Sequence, residues 1–309
     1  MKKPVLLLLF NRPEYTSHVI KSLELYKPTT LYVSIDGPRG EYDIQNIEKC
    51  KKLIDNLSWQ PKLYKKYNTN NLGCGLGIST AISWAFENEQ ELIIIEDDIV
   101  ATKEFFELSE KLLDKYRHAD DIFMIAGTNY LSENTPTSAL LKSKNATIWG
   151  WATWKTRWEK YCYEIPNINK EDLRQLTGDH SSWIGRRHMK RTLELITNKM
   201  IDTWDIQWMY AMAYNSGYAI IPNKNLVTNI GEIGVHSSRV TDSHYLKTYN
   251  FNVAQALHSE LIPGTAYDKA LEKKKIYKAE VTASLVEVLK YMKLYRIIRF
   301  VVQLIRRCA

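Results

Sequence analysis

The first 127 residues alternate short apolar runs with segments whose apolar positions recur every three or four residues. The apolar runs lie at 5–10, 31–35, 92–95 and 122–126, with a weaker one at 62–66. Runs of this length and composition are typical of strands that are buried on both faces. The segments between them have the period of amphipathic helices, including one from Pro13 to about Tyr26. This alternation predicts a parallel, doubly wound α/β sheet flanked by helices.

Polar side chains follow the runs at 5–10, 31–35, 62–66 and 92–95, where the predicted strands end. In open α/β sheets ligands bind beyond the carboxyl ends of the strands, so these side chains are expected to share one binding edge. They are Asn11, Arg12, Asp36, Asn71, Glu96, Asp97 and Asp98. Arg12 could form charge-assisted bonds to a phosphate, and Asp36 could accept hydrogen bonds from a base or a ribose. Taken singly, a surface ion pair for Arg12 and an Asx turn for Asp36 are the simpler interpretations.

The most informative stretch is the run at 92–95, which leads directly into the three carboxylates at 96–98. Adjacent carboxylates repel one another, so a positive partner is expected among them. A hard divalent cation, Mn²⁺ or Mg²⁺, that bridges to phosphate oxygens would supply it. A solvated acidic turn explains the triplet equally well when it is considered alone.

The glycine-rich segment at 73–77 does not match a dinucleotide-binding fingerprint. A GxGxxG pattern that starts at Gly73 would need glycine at position 78, where Ile78 stands. The chain also contains no GxxxxGK[ST] phosphate loop. The glycines therefore predict close backbone approach at the start of a helix, which should run from about 76 to 87.

Beyond Gly127 the chain becomes rich in Trp, Tyr, Asn and Ser, which suggests a second half that receives another substrate. Trp151 lies in a cluster of tryptophans that suits either stacking on a sugar or core packing. Asp205 lies between two tryptophans and is a candidate general base, with a helix cap as the alternative. His236 ends a glycine-rich loop and could bind a metal or a phosphate.

The charge and cysteine content of the chain limit the partners and the cell compartment that the sequence predicts. The net charge is +7 and the pI about 9.0, which favours anionic partners. The four cysteines form no CxxC pair, so neither a zinc site nor a disulfide framework is expected, and a cytoplasmic protein is the default.

From 279 onward the sequence predicts a basic amphipathic helix that could lie at the inner, anionic face of the cell membrane. The alternative is a helix packed on the domain with its basic face in water. Groove-reading motifs are missing from the sequence, so nucleic acid is not expected as a partner.

The order of these features resembles GT-A fold, nucleotide-sugar-dependent glycosyltransferases. It is most similar to the N-acetylglucosaminyltransferase I family and its bacterial relatives. The acidic triplet at 96–98 matches that family's metal motif, and three later segments follow in the same order. These are Gly150-Trp151, Trp204-Asp205 and Gly234-Val235-His236. Two departures are Ile206, where that family has a second Asp, and a His loop that is one residue shorter.

The resemblance, which covers roughly 4–240, implies a Rossmann-like mixed sheet with an acceptor-binding lobe. It implies a donor half at 1–127 and an acceptor half at 128–250 of one GT-A domain, followed by a helical extension at 251–309. The implied activity is inverting, metal-dependent transfer of a sugar, from a UDP-sugar to a glycan or lipid-linked glycan of a bacterial surface polysaccharide. Asp98 and His236 would then bind the metal, Asp205 would be the base, and the remaining candidates, including Trp151, would hold the donor. A sugar-phosphate nucleotidyltransferase and a non-catalytic membrane-surface protein are the alternatives.

Overall fold

Residues 2–132, 135–145, 147–165, 182–231, 245–277 and 280 are described by the structure, a computed structural model. The strands are β1 (Val5–Leu9), β2 (Thr30–Ile35), β3 (Lys62–Tyr67), β4 (Glu91–Glu96), β5 (Ile99–Ala101), β6 (Ile122–Ala126), β7 (Leu140–Ser143), β8 (Trp151–Trp154), β9 (Tyr218–Pro222), β10 (Val227–Asn229) and β11 (Ile262–Pro263). The helices are α1 (Pro13–Tyr26), α2 (Glu41–Asp55), α3 (Gly73–Phe86), α4 (Lys103–Lys115), α5 (Lys155–Trp158), α6 (Trp183–Thr197), α7 (Asp205–Tyr214), α8 (Val253–His258) and α9 (Thr265–Glu272). A π-helical turn at Lys273–Tyr277 follows α9.

Nine of these strands form one mixed sheet in the order β11-β7-β9-β6-β8-β4-β1-β2-β3. Strands β4, β1, β2 and β3 run parallel, as the apolar pattern predicts. Strand β8 lies between β4 and β6 and runs antiparallel to both, and β7 is antiparallel to β9. The sheet is thus Rossmann-like and mixed, and the expectation of a purely parallel sheet from the alternating pattern is wrong.

The sheet is buried because helices and apolar side chains cover both of its faces. Every residue of β1 and β6 is buried, as are Leu92 to Ile95 of β4. The larger apolar cluster packs α1, α2 and α4 on one face, and α3 and α7 contribute to a second cluster on the other. The continuous apolar runs therefore mark strands without a solvent-facing side, which is the reason that they do not alternate.

Two local features bear on the site. Arg12 is the N-cap residue of α1, and Asn11 donates from its side chain to Asp43. Helix α3 begins at Gly73 rather than near Leu76, so the glycine-rich segment forms its first turn. The helix predicted from 279 lies outside the described residues, apart from Glu280. None of the helices in the described ranges has the length and apolarity needed to cross a membrane.

Candidate active site

The acidic triplet lies where expected, at the carboxyl end of β4, and Arg12 from the end of β1 reaches across to it. The guanidinium of Arg12 binds both oxygens of Asp97, with Nε 3.2 Å from Oδ2. Its Nη1 lies 3.0 Å from Oδ2 of Asp98. The backbone N–H of Phe10 also donates to Asp97, over 3.3 Å. Strands β1 and β4 are paired neighbours, so the topology itself brings Arg12 and the triplet together.

The three carboxylates carry more negative charge than one guanidinium balances. Burial, reinforced by the charges of Asp98 and Asp97, raises the pKa of Glu96 well above its usual value. Burial also raises the pKa of Asp97 to about 6, although Arg12 opposes that shift. The same carboxylates raise the pKa of Arg12, so the guanidinium stays charged. The cluster is therefore electronegative, and the guanidinium of Arg12 is the cation within it.

These residues fit a divalent cation in chemistry. Oε1 of Glu96 is buried and has no hydrogen-bond partner in the described part of the chain, so one carboxylate oxygen is available to a ligand. Within the described ranges no three His, Cys, Asp or Glu side chains converge as a ready-made metal cage. In Mg²⁺ sites generally, one or two carboxylates act together with phosphate and water oxygens. Asp98 and Glu96 are the residues placed to contribute.

The carboxylate of Asp36, at the end of β2, is already hydrogen-bonded to residues 71–73. Its carboxylate accepts hydrogen bonds from the N–H groups of Leu72 and Gly73 and from the side chain of Asn71, all within 3.1 Å. Asn71 in turn donates to the carbonyl of Gly37. In this conformation the pair holds the loop before α3 against β2. Their contact with a donor stays a prediction.

The glycines of α3 allow another carboxylate to approach the start of that helix. A Cβ at Gly75 would lie 2.4 Å from Oδ1 of Asp202, and the N–H of Gly75 donates to that oxygen over 3.0 Å. Gly73 has φ +82°, and a Cβ there would also meet Asp202 at 2.4 Å. The segment thus serves close backbone approach, as predicted, and its helix terminus is capped by Asp202.

Asp205 is the first residue of α7 and accepts a hydrogen bond from the hydroxyl of Thr203. Its negative charge contributes to the raised pKa of Glu96, so the candidate base and the acidic triplet share one electrostatic environment. Asp205 also lines an open cleft of about 340 Å³. The aromatic walls of that cleft are Tyr130 and Trp149, whose ring centroids are 5.4 Å apart.

The cleft includes residues that the sequence did not identify as candidates. Tyr130 follows β6, and Glu272 and Lys275 come from the end of α9 and the π-helical turn. The amine of Lys275 lies against the ring of Tyr130, and burial there lowers its pKa to about 7. Tyr130 and Lys275 are far apart in the sequence, and no shared motif links them.

Trp151 packs in the core, which is one of the two alternatives that its sequence context left open. It is fully buried on β8, and its ring stacks on Trp204 at 5.5 Å between centroids. Trp158 and Trp208 complete this cluster under the site. The observed contacts of Trp151 are those of the core, and a donor contact remains a prediction. His236 lies outside the described residues.

Comparison with known proteins gives only a distant likeness. No protein-family model matches the sequence, and no curated protein matches it. Among solved structures, HddC from Yersinia pseudotuberculosis is similar, with 12% identity and a TM-score of 0.33 over 52% of this chain and 80% of that one. A 4-diphosphocytidyl-2C-methyl-D-erythritol synthase from Anaerococcus prevotii is also similar, with 9% identity and a TM-score of 0.34 over 56% of this chain and 80% of that one. Likeness at these scores establishes neither a reaction nor a substrate.

Proposed function

We propose that the chain is an inverting, metal-dependent glycosyltransferase that moves a sugar from a nucleotide diphosphate donor to a hydroxyl of a glycan acceptor. A UDP-sugar is the favoured donor, and a glycan or lipid-linked glycan of a bacterial surface polysaccharide is the favoured acceptor. The observation that carries this proposal is the position of Asp205. It lies at an open cleft with aromatic walls, and its charge is one of the smaller contributions to the raised pKa of Glu96. This position would put Asp205 between a donor held at the triplet and an acceptor in the cleft.

On the donor side, Arg12 is the cation beside the acidic triplet. It contacts Asp97 and Asp98 in this structure, and its guanidinium would form charge-assisted hydrogen bonds to a diphosphate oxygen of the donor. Asp98 and Glu96 would hold Mn²⁺ or Mg²⁺, and His236 is proposed with them from the sequence alone. When bound, such an ion neutralises charge that builds on the leaving diphosphate.

On the acceptor side, Trp149 lines the cleft and would supply an aromatic face on which a sugar ring can pack, with Tyr130 buried behind it. Asp205 would remove the proton of the acceptor hydroxyl as its oxygen attacks the anomeric carbon. The bond from that carbon to the phosphate oxygen breaks on the opposite side, and the nucleoside diphosphate leaves. The configuration at the anomeric carbon is inverted by this single displacement.

A sugar-phosphate nucleotidyltransferase is the second candidate. One of the two similar structures is named as a diphosphocytidyl-methylerythritol synthase, and neither is named as a glycosyltransferase. Against this candidate, residues 11–13 contain no glycine-rich signature for a triphosphate. The products differ, since this reaction releases pyrophosphate from a nucleoside triphosphate and glycosyl transfer releases a nucleoside diphosphate from a nucleotide sugar.

The test begins with calorimetric titration of UDP, GDP and CDP, with and without Mn²⁺. We expect metal-dependent binding of one nucleotide that is lost in Asp98→Ala and kept in Asp114→Ala, a surface control. Asp205→Asn should bind that nucleotide as wild type does and lose release of the diphosphate from the matching nucleotide sugar. Normal turnover by Asp205→Asn would remove the assigned base. Pyrophosphate release from a triphosphate, without turnover of any nucleotide sugar, would establish the second candidate instead.

A further inference from the structure

A cationic surface lies beside the acceptor cleft and is not used by the proposed reaction. It consists of α6 and the π-helical turn at Lys273–Tyr277, which pack against each other. Helix α6 has four arginines and lysines and a single carboxylate, Glu194, and the turn adds Lys273 and Lys274, whereas Lys275 lines the cleft. We refer to these two elements as the cationic surface.

The packing of α6 fixes which of its side chains face outward. Leu193 and Ile196 are buried against other apolar side chains of this part of the molecule. On an adjacent face Trp183, Arg186 and Lys190 are exposed and recur at helical spacing, and Glu194 belongs to the same stripe. The indole of Trp183 is 66% exposed, although an indole is usually among the most buried side chains.

Two carboxylates join α6 to the C-terminal part of the chain. Glu272 accepts hydrogen bonds from the backbone and the hydroxyl of Ser182, the N-cap residue of α6. Glu280 is almost fully buried and pairs with Arg187 and Arg191, each at 3.0 Å. These two arginines thus hold the elements together, and on the outer stripe Lys190 pairs with Glu194 at 3.7 Å, an exposed ion pair that solvent screens.

We propose that the cationic surface binds an anionic phospholipid membrane. The net positive charge complements acidic lipid headgroups, and an exposed indole beside cations is typical of side chains at the lipid headgroup level. Membrane binding here does not depend on the proposed reaction, and it would place the acceptor cleft near the lipid surface.

The test is co-sedimentation of the full chain with vesicles of phosphatidylcholine, with and without phosphatidylglycerol at about 30%, as in a typical anionic leaflet. One variant neutralises the surface: Arg186→Gln, Lys190→Gln and Lys273→Gln. Each lost cation should weaken partitioning about 5-fold, so the triple variant should lose about 100-fold. The matched control is Lys21→Gln, Lys49→Gln and Lys52→Gln, which removes the same charge from exposed positions on α1 and α2. It should lose less than about 3-fold.

Brominated lipid supplies a second measurement that does not depend on charge. Quenching of tryptophan fluorescence by brominated vesicles should be clear in the wild type and reduced in Trp183→Phe. Equal sedimentation of the triple variant and the wild type would overturn the proposal, as would equal binding to neutral and anionic vesicles. Retention of the wild type by an oligonucleotide but not by anionic vesicles would assign the surface to a polyanion and overturn it as well.

Discussion

Replacement of Arg12 by alanine tests the electrostatics of the candidate site without any substrate. The guanidinium is 27% exposed, and its partners Asp97 and Asp98 are 4% and 13% exposed. Its removal leaves buried carboxylates without their cation, and breaking a buried ion pair costs about 3–5 kcal/mol. Because Arg12 is partly exposed, we expect a loss near the lower end, about 3 kcal/mol at pH 8. The protein should remain folded, since domains of this kind are stable by about 5–15 kcal/mol.

The loss should depend on pH in a defined direction. Asp97 has a folded-state pKa of about 6, above that of the unfolded chain, so the folded state binds more protons between about pH 4 and 6. Stability therefore falls as the pH rises through that window. Without Arg12 the pKa values of Asp97 and Glu96 rise further, so the variant loses more stability at pH 8 than at pH 5. At pH 5 the carboxylates are largely protonated, and we expect a loss of about 1 kcal/mol.

Urea unfolding of wild type and variant at pH 5 and pH 8 measures both values. Arg117→Ala is the matched control, because Arg117 is 49% exposed and its buried partner Glu91 keeps a second cation in Lys3. The control should lose less than about 1 kcal/mol, equally at both pH values. Mn²⁺ at about ten times its Kd should return about 1.4 kcal/mol to the Arg12 variant at pH 8. An equal loss at the two pH values, or no response to Mn²⁺ or Mg²⁺, would refute this account of the site.

Three further outcomes are expected. In wild type, binding of Mn²⁺ should weaken as the pH falls below about 6, because Asp97 becomes protonated and the pocket loses charge; calorimetric titration at pH 5 and 7.5 measures this. Gly75→Ala should destabilise the fold by about 1–3 kcal/mol, because its Cβ would meet the carboxylate that caps α3, whereas Gly40→Ala meets nothing within 4 Å and should be nearly neutral in the same unfolding assay. Asp268→Ala should cost about 2–3 kcal/mol in urea unfolding, since its buried carboxylate accepts from three donors after β7, and Asp121→Ala, at an exposed pair, should cost less than about 0.5 kcal/mol.

The parallel half of the sheet could be predicted because its signal is local. A strand covered on both faces is apolar at every position, so β1, β4 and β6 are readable from a few neighbouring residues. The spacing of apolar positions every three or four residues in α1 and α4 can likewise be read within each segment alone. The observed bounds differ from the expected ones by a few residues at most in these elements, whose faces are set by burial alone.

Strand β8 could not be predicted because its signal is not local. It has four residues, two of them tryptophan, and its neighbours β4 and β6 precede it in the chain. Its segment equally suits core packing or a stacking surface, as Trp151 illustrates. What makes it a strand is the space between β4 and β6, which no property of residues 151–154 reveals.

The two sides of the candidate site differ for the same reason. Arg12 and the acidic triplet follow paired strands, so the topology that the pattern predicts is enough to bring them together. No comparable rule predicts the cleft that Asp205 lines, because Trp149 comes from a loop and Lys275 from a turn far along the chain. Their positions depend on tertiary contacts such as Asp268, whose carboxylate accepts the Ser143 hydroxyl and thereby ties α9 to the end of β7. In the proposed function, the donor side is set by sheet topology and can keep its chemistry while the contacts that shape the cleft change. The acceptor is therefore the part of that proposal that the sequence specifies least.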